Sequence, residues 1–216
     1  MKGDNSAQVI EGSVDVYYIL TTSAGANGTI SPPSASVLVG SSADFVITAS
    51  NYYRIATLTT NGTAVTGMTF DNNSTTTNFT WNDVQAAGTV TVAFVEQVTT
   101  NAPAPVPYEW LAQYGLTNYE ADDDLDQDYD SLKTWQEYIA GTVPTDAASV
   151  LKAALTTRDT VTWSPVSGRV YSVYWSTNLM NGFQPLETNI LYPQGSYTNA
   201  APDARMNLYQ IKVRMQ

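Results

Sequence analysis

Five acidic residues stand within 14 positions of this chain, in the stretch DLDQDYDSLKTWQE at residues 124–137. The whole sequence has 20 Asp and Glu but neither His nor Cys, so carboxylates are its main groups for chemistry. Such a cluster fits a divalent metal site, a pair of catalytic carboxylates, or an acidic bend that is only solvated. The spacing of the acidic residues and the types of residue around them distinguish these interpretations.

The spacing of the acidic stretch is that of a calcium-binding loop between two helices. Alternate side chains on a tightly wound loop point at one centre, a backbone carbonyl supplies another ligand, and a glutamate on the exit helix reaches back with both oxygens. Counted from Asp126, loop positions 1, 3, 5, 7, 9 and 12 are Asp126, Asp128, Asp130, Leu132 (through its carbonyl), Thr134 and Glu137. We therefore predict a calcium site formed by these six residues.

The residues around the loop qualify this prediction. Ser131 stands at position 6, where a left-handed turn normally requires glycine, and the substitution costs about 1 kcal/mol and weakens affinity. Asp122 and Asp123 are interpreted as charges on a helix surface, and Asp124 as a surface charge or an outer-shell ligand. Asp146 is interpreted as a helix cap or a further ligand.

Three short helical segments should position this loop. In PYEWLAQYG, Pro107 opens a helix predicted over 108–114 and Gly115 ends it. Asn118 or Thr117 caps a second helical turn in YEADDDL, whose acidic residues suit the helix dipole. The chain leaves the loop through the helix TWQEYIA, with Gly141 as its stop.

The remaining sequence is typical of strands, so the predicted fold class is mainly β, with two small β-sandwich-like domains joined by the helical segment. Period-2 alternation and Asn-Gly turns at 27 and 61 predict hairpins in the first domain. The second has runs such as GRVYSVYWSTN and LYQIKVRM. The predicted organisation is 1–98 all-β, 99–107 an extended Pro-rich linker, 108–149 the calcium-binding segment and 150–216 a C-terminal β-sandwich.

Composition argues against several classes of function. The formal net charge of −11 argues against nucleic acid or an anionic membrane as partner, and no run approaches the length of a membrane span. Without His, a catalytic triad lacks its commonest base and a zinc site lacks its commonest ligand. The acidic residues outside the loop show no spacing that would pair two of them in a glycosidase site. We therefore predict that the protein is not an enzyme. The low charged fraction of 13%, with abundant Thr, Ser, Asn and Tyr, favours an extracellular or cell-surface protein.

Residues 107–216 resemble a calcium-binding segment, similar to thrombospondin type 3 and dockerin-like half repeats, followed by a small β-sandwich in secreted bacterial proteins of Verrucomicrobia, Kiritimatiellae and Planctomycetes. The stretch WQEYIAGTVPTDAAS is the most specific part of this resemblance. VTWSPVSGRVYSVYWSTNLMNGFQPL and LYQIKVRM resemble the start and the closing strand of the sandwich. The resemblance places calcium ligands at the same six loop positions.

Residues 16–96 resemble a divergent internalin-type B repeat, a small β module of bacterial surface proteins. Gly28, Pro32 and Gly40, and the strands around Phe45 and Tyr53, carry this resemblance. It implies a spacer or an adhesive surface and no catalysis.

Two classes of function remain open. The first is a structural surface protein whose copies self-associate into a fibre or array, with VIEGSVDVYYIL donating a strand to the next subunit. The alternative is an adhesive or carbohydrate-binding module of a larger secreted enzyme, with polysaccharide as its partner. Most aromatic residues, including Trp81, Trp163 and Trp175, are interpreted as core.

Overall fold

A computed structural model describes residues 12, 14–201 and 207–216 of the chain. The chain forms two compact units, one ending at Gln97 and the other beginning at Val98. Both units consist mainly of β-strands in small sheets, which confirms the mainly β, sandwich-like fold. Among the described residues, no helix is long and apolar enough to span a membrane.

The first unit has eight strands in two sheets. One sheet has the order β3-β1-β8-β5-β6 and the other has the order β2-β4-β7. The strands are β1 (Tyr17–Ala24), β2 (Gly28–Ser31), β3 (Ser34–Leu38), β4 (Ala43–Ala49), β5 (Tyr53–Thr60), β6 (Thr63–Ala64), β7 (Thr76–Trp81) and β8 (Gly88–Glu96).

The core of this unit lies between its two sheets. Strand β4 alternates buried and exposed residues, so that Phe45 and Ile47 face inward. They pack with Leu20 of β1 and Val90 of β8 from the other sheet. Threonines occupy many of the outward positions, where a β-branched polar side chain suits a half-buried strand.

The two Asn-Gly signals behave differently. Asn61-Gly62 forms the predicted two-residue hairpin, because Thr60 pairs with Thr63 across it. Asn27-Gly28 does not form a hairpin, because the chain crosses there from β1 in one sheet to β2 in the other. A Cβ on Gly28 would lie 2.2 Å from the ring of Phe94, so this glycine serves close packing across the sandwich.

The second unit has three short helices followed by six strands. The helices are α1 (Tyr108–Gln113), α2 (Tyr119–Asp122) and α3 (Thr134–Ala140). The strands are β9 (Ala153–Leu155), β10 (Thr160–Trp163), β11 (Arg169–Ser176), β12 (Gln184–Leu191), β13 (Ser196–Thr198) and β14 (Leu208–Met215), with a 3-10 turn at 179–181. Their sheet orders are β13-β10-β9 and β12-β11-β14.

This unit has two hydrophobic clusters. Val161 and Trp163 of β10 pack with Tyr171 and Val173 of β11, so the two small sheets enclose one core. The other cluster lies in the helical segment, where Val106, Leu111 and Leu116 are buried among aromatic side chains.

The segment 99–107 is not the extended linker that its prolines predicted. Val98 pairs with Pro107, and the Thr99 N–H donates to the Val106 carbonyl at 2.9 Å, so the segment is a closed loop. Its backbone also donates to Glu120 from Thr100 at 2.9 Å. Proline fixes φ but does not prevent a turn, and burial of Val106 stabilises this one.

Candidate metal centre

The acidic loop is closed at its base by backbone hydrogen bonds between its entry and exit. The Thr134 N–H donates to the Leu125 carbonyl, and the Trp135 N–H donates to the Asp123 carbonyl, both at 2.9 Å. Helix α3 begins at Thr134, and the Gln136 side chain accepts from the Lys133 N–H at 2.8 Å, which satisfies a free donor of the first turn. The residues between these contacts are therefore confined to a tight loop.

Each of the three alternate aspartates uses one carboxylate oxygen to hold the loop. Asp126 Oδ2 accepts from the Ser131 N–H at 3.0 Å. Asp128 Oδ1 accepts from the Asp130 N–H at 3.2 Å, and Asp130 Oδ1 accepts from the Leu132 N–H at 2.7 Å. These bonds to backbone N–H groups turn the three side chains toward the inside of the loop.

The second oxygen of each aspartate is buried and has no partner among the described residues. These atoms are Asp126 Oδ1, Asp128 Oδ2 and Asp130 Oδ2. The three carboxylates offer ligand atoms that all lie within 4.8 Å of one another. Buried polar atoms without partners are costly, so the arrangement fits a group that supplies positive charge at its centre. The aspartate triad could hold a metal ion.

Glu137 of helix α3 lies close enough to the aspartate triad to feel its charge, but its carboxylate is not among the ligand atoms that lie within 4.8 Å of one another, so its coordination stays a prediction. Its side chain is fully buried, its Oε1 accepts from the Thr142 hydroxyl at 3.3 Å, and its Oε2 has no partner among the described residues. Burial, followed by the charges of Asp128, Asp130 and Asp126, raises the pKa of Glu137 from 4.5 to about 7. Without a cation, this carboxylate is therefore partly protonated at neutral pH.

Two residues of the loop adopt left-handed backbone conformations. Ser131, where the sequence lacks the expected glycine, has φ of 83°, and Tyr129 has φ of 65°. A left-handed conformation costs a non-glycine residue about 1 kcal/mol. The loop therefore adopts the turn that its spacing requires despite these two side chains.

The other two predicted ligands take part in the loop differently. The Leu132 N–H donates a hydrogen bond to Asp130 Oδ1. Thr134 is fully buried, and its hydroxyl donates to the Leu125 carbonyl at 3.0 Å, so this side chain ties the two ends of the loop together. Coordination by the Leu132 carbonyl and by Thr134 stays a prediction.

The acidic residues around the loop have separate structural roles. Asp122 Oδ2 accepts from the Asn118 N–H at 3.0 Å, and Asp124 forms a 2.8 Å ion pair with Lys133. Asp146 Oδ1 accepts from the Ala148 N–H at 3.0 Å, so it caps a turn. These contacts place the three carboxylates outside the cluster of unpartnered oxygens.

Asp123 corrects the sequence prediction, because it is not a charge on a helix surface. The residue is fully buried beside the Thr99 side chain and the Ala102 backbone. Burial raises the pKa of Asp123, and the nearby Glu120 and Asp124 carboxylates add to the rise. The sequence gives no sign of this burial, because it depends on the loop 99–107 folding back over α2.

The end of helix α3 is fastened to the C-terminal sheets. The Arg169 guanidinium at the start of β11 donates to the Ile139 carbonyl at 2.7 Å and to the Tyr138 carbonyl, and it lies 5.3 Å from the Tyr138 ring centre. A cation at the last carbonyls of a helix satisfies groups that have no partner within the helix. Helix α3, which carries Glu137, is thus held to β11 of the C-terminal sheets by these hydrogen bonds.

The loop thus gathers three aspartates, each with one buried oxygen that has no hydrogen-bond partner among the described residues, as a metal site requires. No family model, curated protein sequence or solved structure matches this chain.

Proposed function

We propose that this chain is a non-enzymatic structural protein of the bacterial cell surface or extracellular space, stabilised by one calcium ion in the segment between its two β domains. The ligands are Asp126, Asp128, Asp130, the Leu132 carbonyl, Thr134 and Glu137. The observation that carries this proposal is the set of four buried, unpartnered carboxylate oxygens, one from each acidic ligand.

Calcium is the ion that best suits these donors. Calcium takes six to eight oxygen ligands in flexible geometry, and the loop supplies oxygen atoms only. The nearest lysine of the loop, Lys133, is paired with Asp124 and does not neutralise the cluster. At the millimolar calcium outside cells even a weak site is filled.

The bound ion would stabilise the whole second unit. It would join Glu137 of α3 to the aspartates of the loop, and Arg169 fastens the end of α3 to β11. An ion that binds only the folded state stabilises it by mass action. We therefore expect calcium to raise the unfolding temperature of the unit 98–216, with magnesium as the control ion. Equal unfolding temperatures in calcium and in chelator would contradict the assignment.

The geometry supports a structural role over a catalytic one. Three of the carboxylates hold the loop through backbone N–H groups, and the fourth is fully buried in α3. A glycosidase needs two carboxylates that flank a substrate in a cleft. Three half-buried carboxylates that are engaged with their own loop, and a fourth that is fully buried, are poorly placed for that chemistry.

Self-association is the second part of this proposal, in which copies form a fibre or array by strand addition. The alternative, a carbohydrate-binding or adhesive module, is less well supported. A sugar-stacking face needs exposed rings, and all five tryptophans are buried or half-buried, so only tyrosines such as Tyr17, Tyr129 and Tyr192 offer exposed rings. Electron microscopy of the concentrated protein in calcium should show fibres or arrays. Discrete monomers together with retention on a polysaccharide column would favour the binding module instead.

A further inference from the structure

The inward-facing stripe of strand β1 continues past the core that covers it. Leu20 is fully buried and Tyr18 is half-buried, but Val16 is 44% exposed and Val14 is 86% exposed. Just before β1 begins at Tyr17, the Val16 carbonyl still accepts a hydrogen bond from the Val39 N–H at 2.9 Å. The apolar positions therefore continue ahead of β1, where their side chains are exposed.

The same alternation continues toward the N-terminus in the sequence VIEGSVDV at residues 9–16. From residue 10 the even positions hold Ile10, Gly12, Val14 and Val16 and the odd positions hold Glu11, Ser13 and Asp15, whereas Val9 does not follow the alternation. Residues 9–11 and 13 lie outside the described residues. The sequence pattern of 10–16 is that of a strand with one largely apolar face and one polar, acidic face.

Strand β14 of the second unit has the complementary pattern. It lies at the edge of its sheet, and its pairing with β11 is regular over all eight residues. Its half-buried residues Ile211 and Val213 alternate with the exposed Lys212 and Arg214. Within its own sheet, Lys212 lies over the Tyr174 ring and Arg214 donates to Asn189, and both side chains still expose their charge at the surface. Within the described residues, no other strand pairs with its outer edge. Such an edge accepts a further strand.

A cavity beside β14 could receive the apolar side chains of an added strand. It has a volume of about 390 Å³ and is lined by Trp135 and Ile139 of α3, by Leu151 and by Val213. A strand paired with β14 would place its inward side chains about 5 Å from Val213. Valine side chains of the added strand would therefore reach the wall of this cavity.

The other long edge strand of this unit, β12, is a poorer acceptor. Its pairing with β11 shifts register twice, and it carries Pro185 and the exposed acid Glu187. An acidic strand would be repelled there, and a bulged edge pairs poorly. Charge and regularity both favour β14.

We infer that residues 9–16 of one copy add as a strand to the edge of β14 in a second copy, with Val14 and Val16 toward the cavity and Glu11 and Asp15 beside Lys212 and Arg214. This inference rests on the proposed self-association and names its acceptor. The partner is thus a second copy of this chain, recognised by alternating apolar and opposite-charge contacts.

Charge reversal tests this pairing in the full chain. Sedimentation of the protein in calcium should show that Lys212→Glu with Arg214→Glu weakens association at least tenfold, and that Glu11→Lys with Asp15→Lys does the same. The four changes together should restore it, which a misfolded variant would not do. Lys152→Glu with Arg158→Glu is the matched control, because it changes the net charge by the same amount elsewhere in the second unit.

The outcomes separate this inference from the proposed function. Association that is weakened no more by the β14 reversal than by the control would overturn the inference and leave self-association standing. A monomer at every concentration would overturn both, and its calcium-dependent unfolding would still report on the metal site. If the protein is a monomer and residues 14–16 are protected from hydrogen exchange, these residues pack against their own chain, and the inference is wrong.

Discussion

Replacement of Glu137 by glutamine should stabilise the protein without calcium and destabilise it with calcium. In the ion-free protein the pKa of Glu137 is raised to about 7, so its folded state favours the protonated side chain. The stability linked to this proton is complete below the ordinary pKa of 4.5 and is lost as the pH rises through 7. The difference between these two pKa values corresponds to about 3 kcal/mol of folding stability. Glutamine has no charge to bury and keeps a carbonyl oxygen for the Thr142 hydroxyl.

In chelator, we therefore expect Glu137→Gln to exceed the wild type in free energy of unfolding by about 3 kcal/mol at pH 8 and to equal it near pH 4. Calcium at 1,000 times its Kd adds about 4 kcal/mol to the wild type. The variant lacks the glutamate ligand and gains little at the same concentration. The order of stability should then reverse at pH 8.

Urea unfolding followed by tryptophan fluorescence measures this difference. Four of the five tryptophans lie in the second unit. All variants carry Trp81→Phe, which removes the tryptophan fluorescence of the first unit. Glu187→Gln is the matched control, because Glu187 is exposed in the same unit and should show no calcium-dependent difference. If Glu137→Gln lowers the stability equally in calcium and in chelator, Glu137 is not part of an ion site.

Three further predictions concern the backbone and the anchor of the site. Ser131→Gly should stabilise the loop by about 1 kcal/mol and tighten calcium binding, because φ at this position is 83°; urea unfolding and calorimetric titration measure the two effects, with Ser164→Gly at an exposed position as control. Gly141→Ala should destabilise the second unit by at least about 1 kcal/mol in urea unfolding, because φ is 77° and a Cβ would lie 2.9 Å from Val166; an unchanged midpoint would contradict this packing. Arg169→Lys should cost about 1–3 kcal/mol in the same assay, because lysine cannot keep the forked contact with the carbonyls of Tyr138 and Ile139; Arg158→Lys serves as control.

The local parts of the site could be predicted from the sequence. The positions of Asp126, Asp128 and Asp130 determine where their side chains point once the loop winds, and the left-handed turn at Ser131 follows from the same geometry. Helix α3 was predicted with its bounds, because Gly141 is a strong stop signal. These features depend on neighbours within a few residues.

The parts that were wrong depend on contacts between distant residues. Strand β1 pairs with β3 on one side and β8 on the other, and β2 lies in the other sheet, so the chain changes sheets at Asn27-Gly28, where the sequence signal alone indicated a hairpin. Asp123 is buried because the loop after Thr99 folds back on it, and the prolines of that loop gave no indication of the fold-back. Turn residues show where a chain can bend, whereas the partner of each strand is decided by packing.

Direct titration of the chelator-treated protein with calcium tests the central claim. Calorimetry should show one ion bound for each chain, with affinity that rises from pH 5 to pH 8 as the Glu137 proton is lost. Asp128→Asn should weaken this binding at least tenfold, while Asp44→Asn in the first unit should leave it unchanged. No heat of binding at millimolar calcium, or binding that Asp128→Asn does not alter, would contradict the claim that this loop is a calcium site.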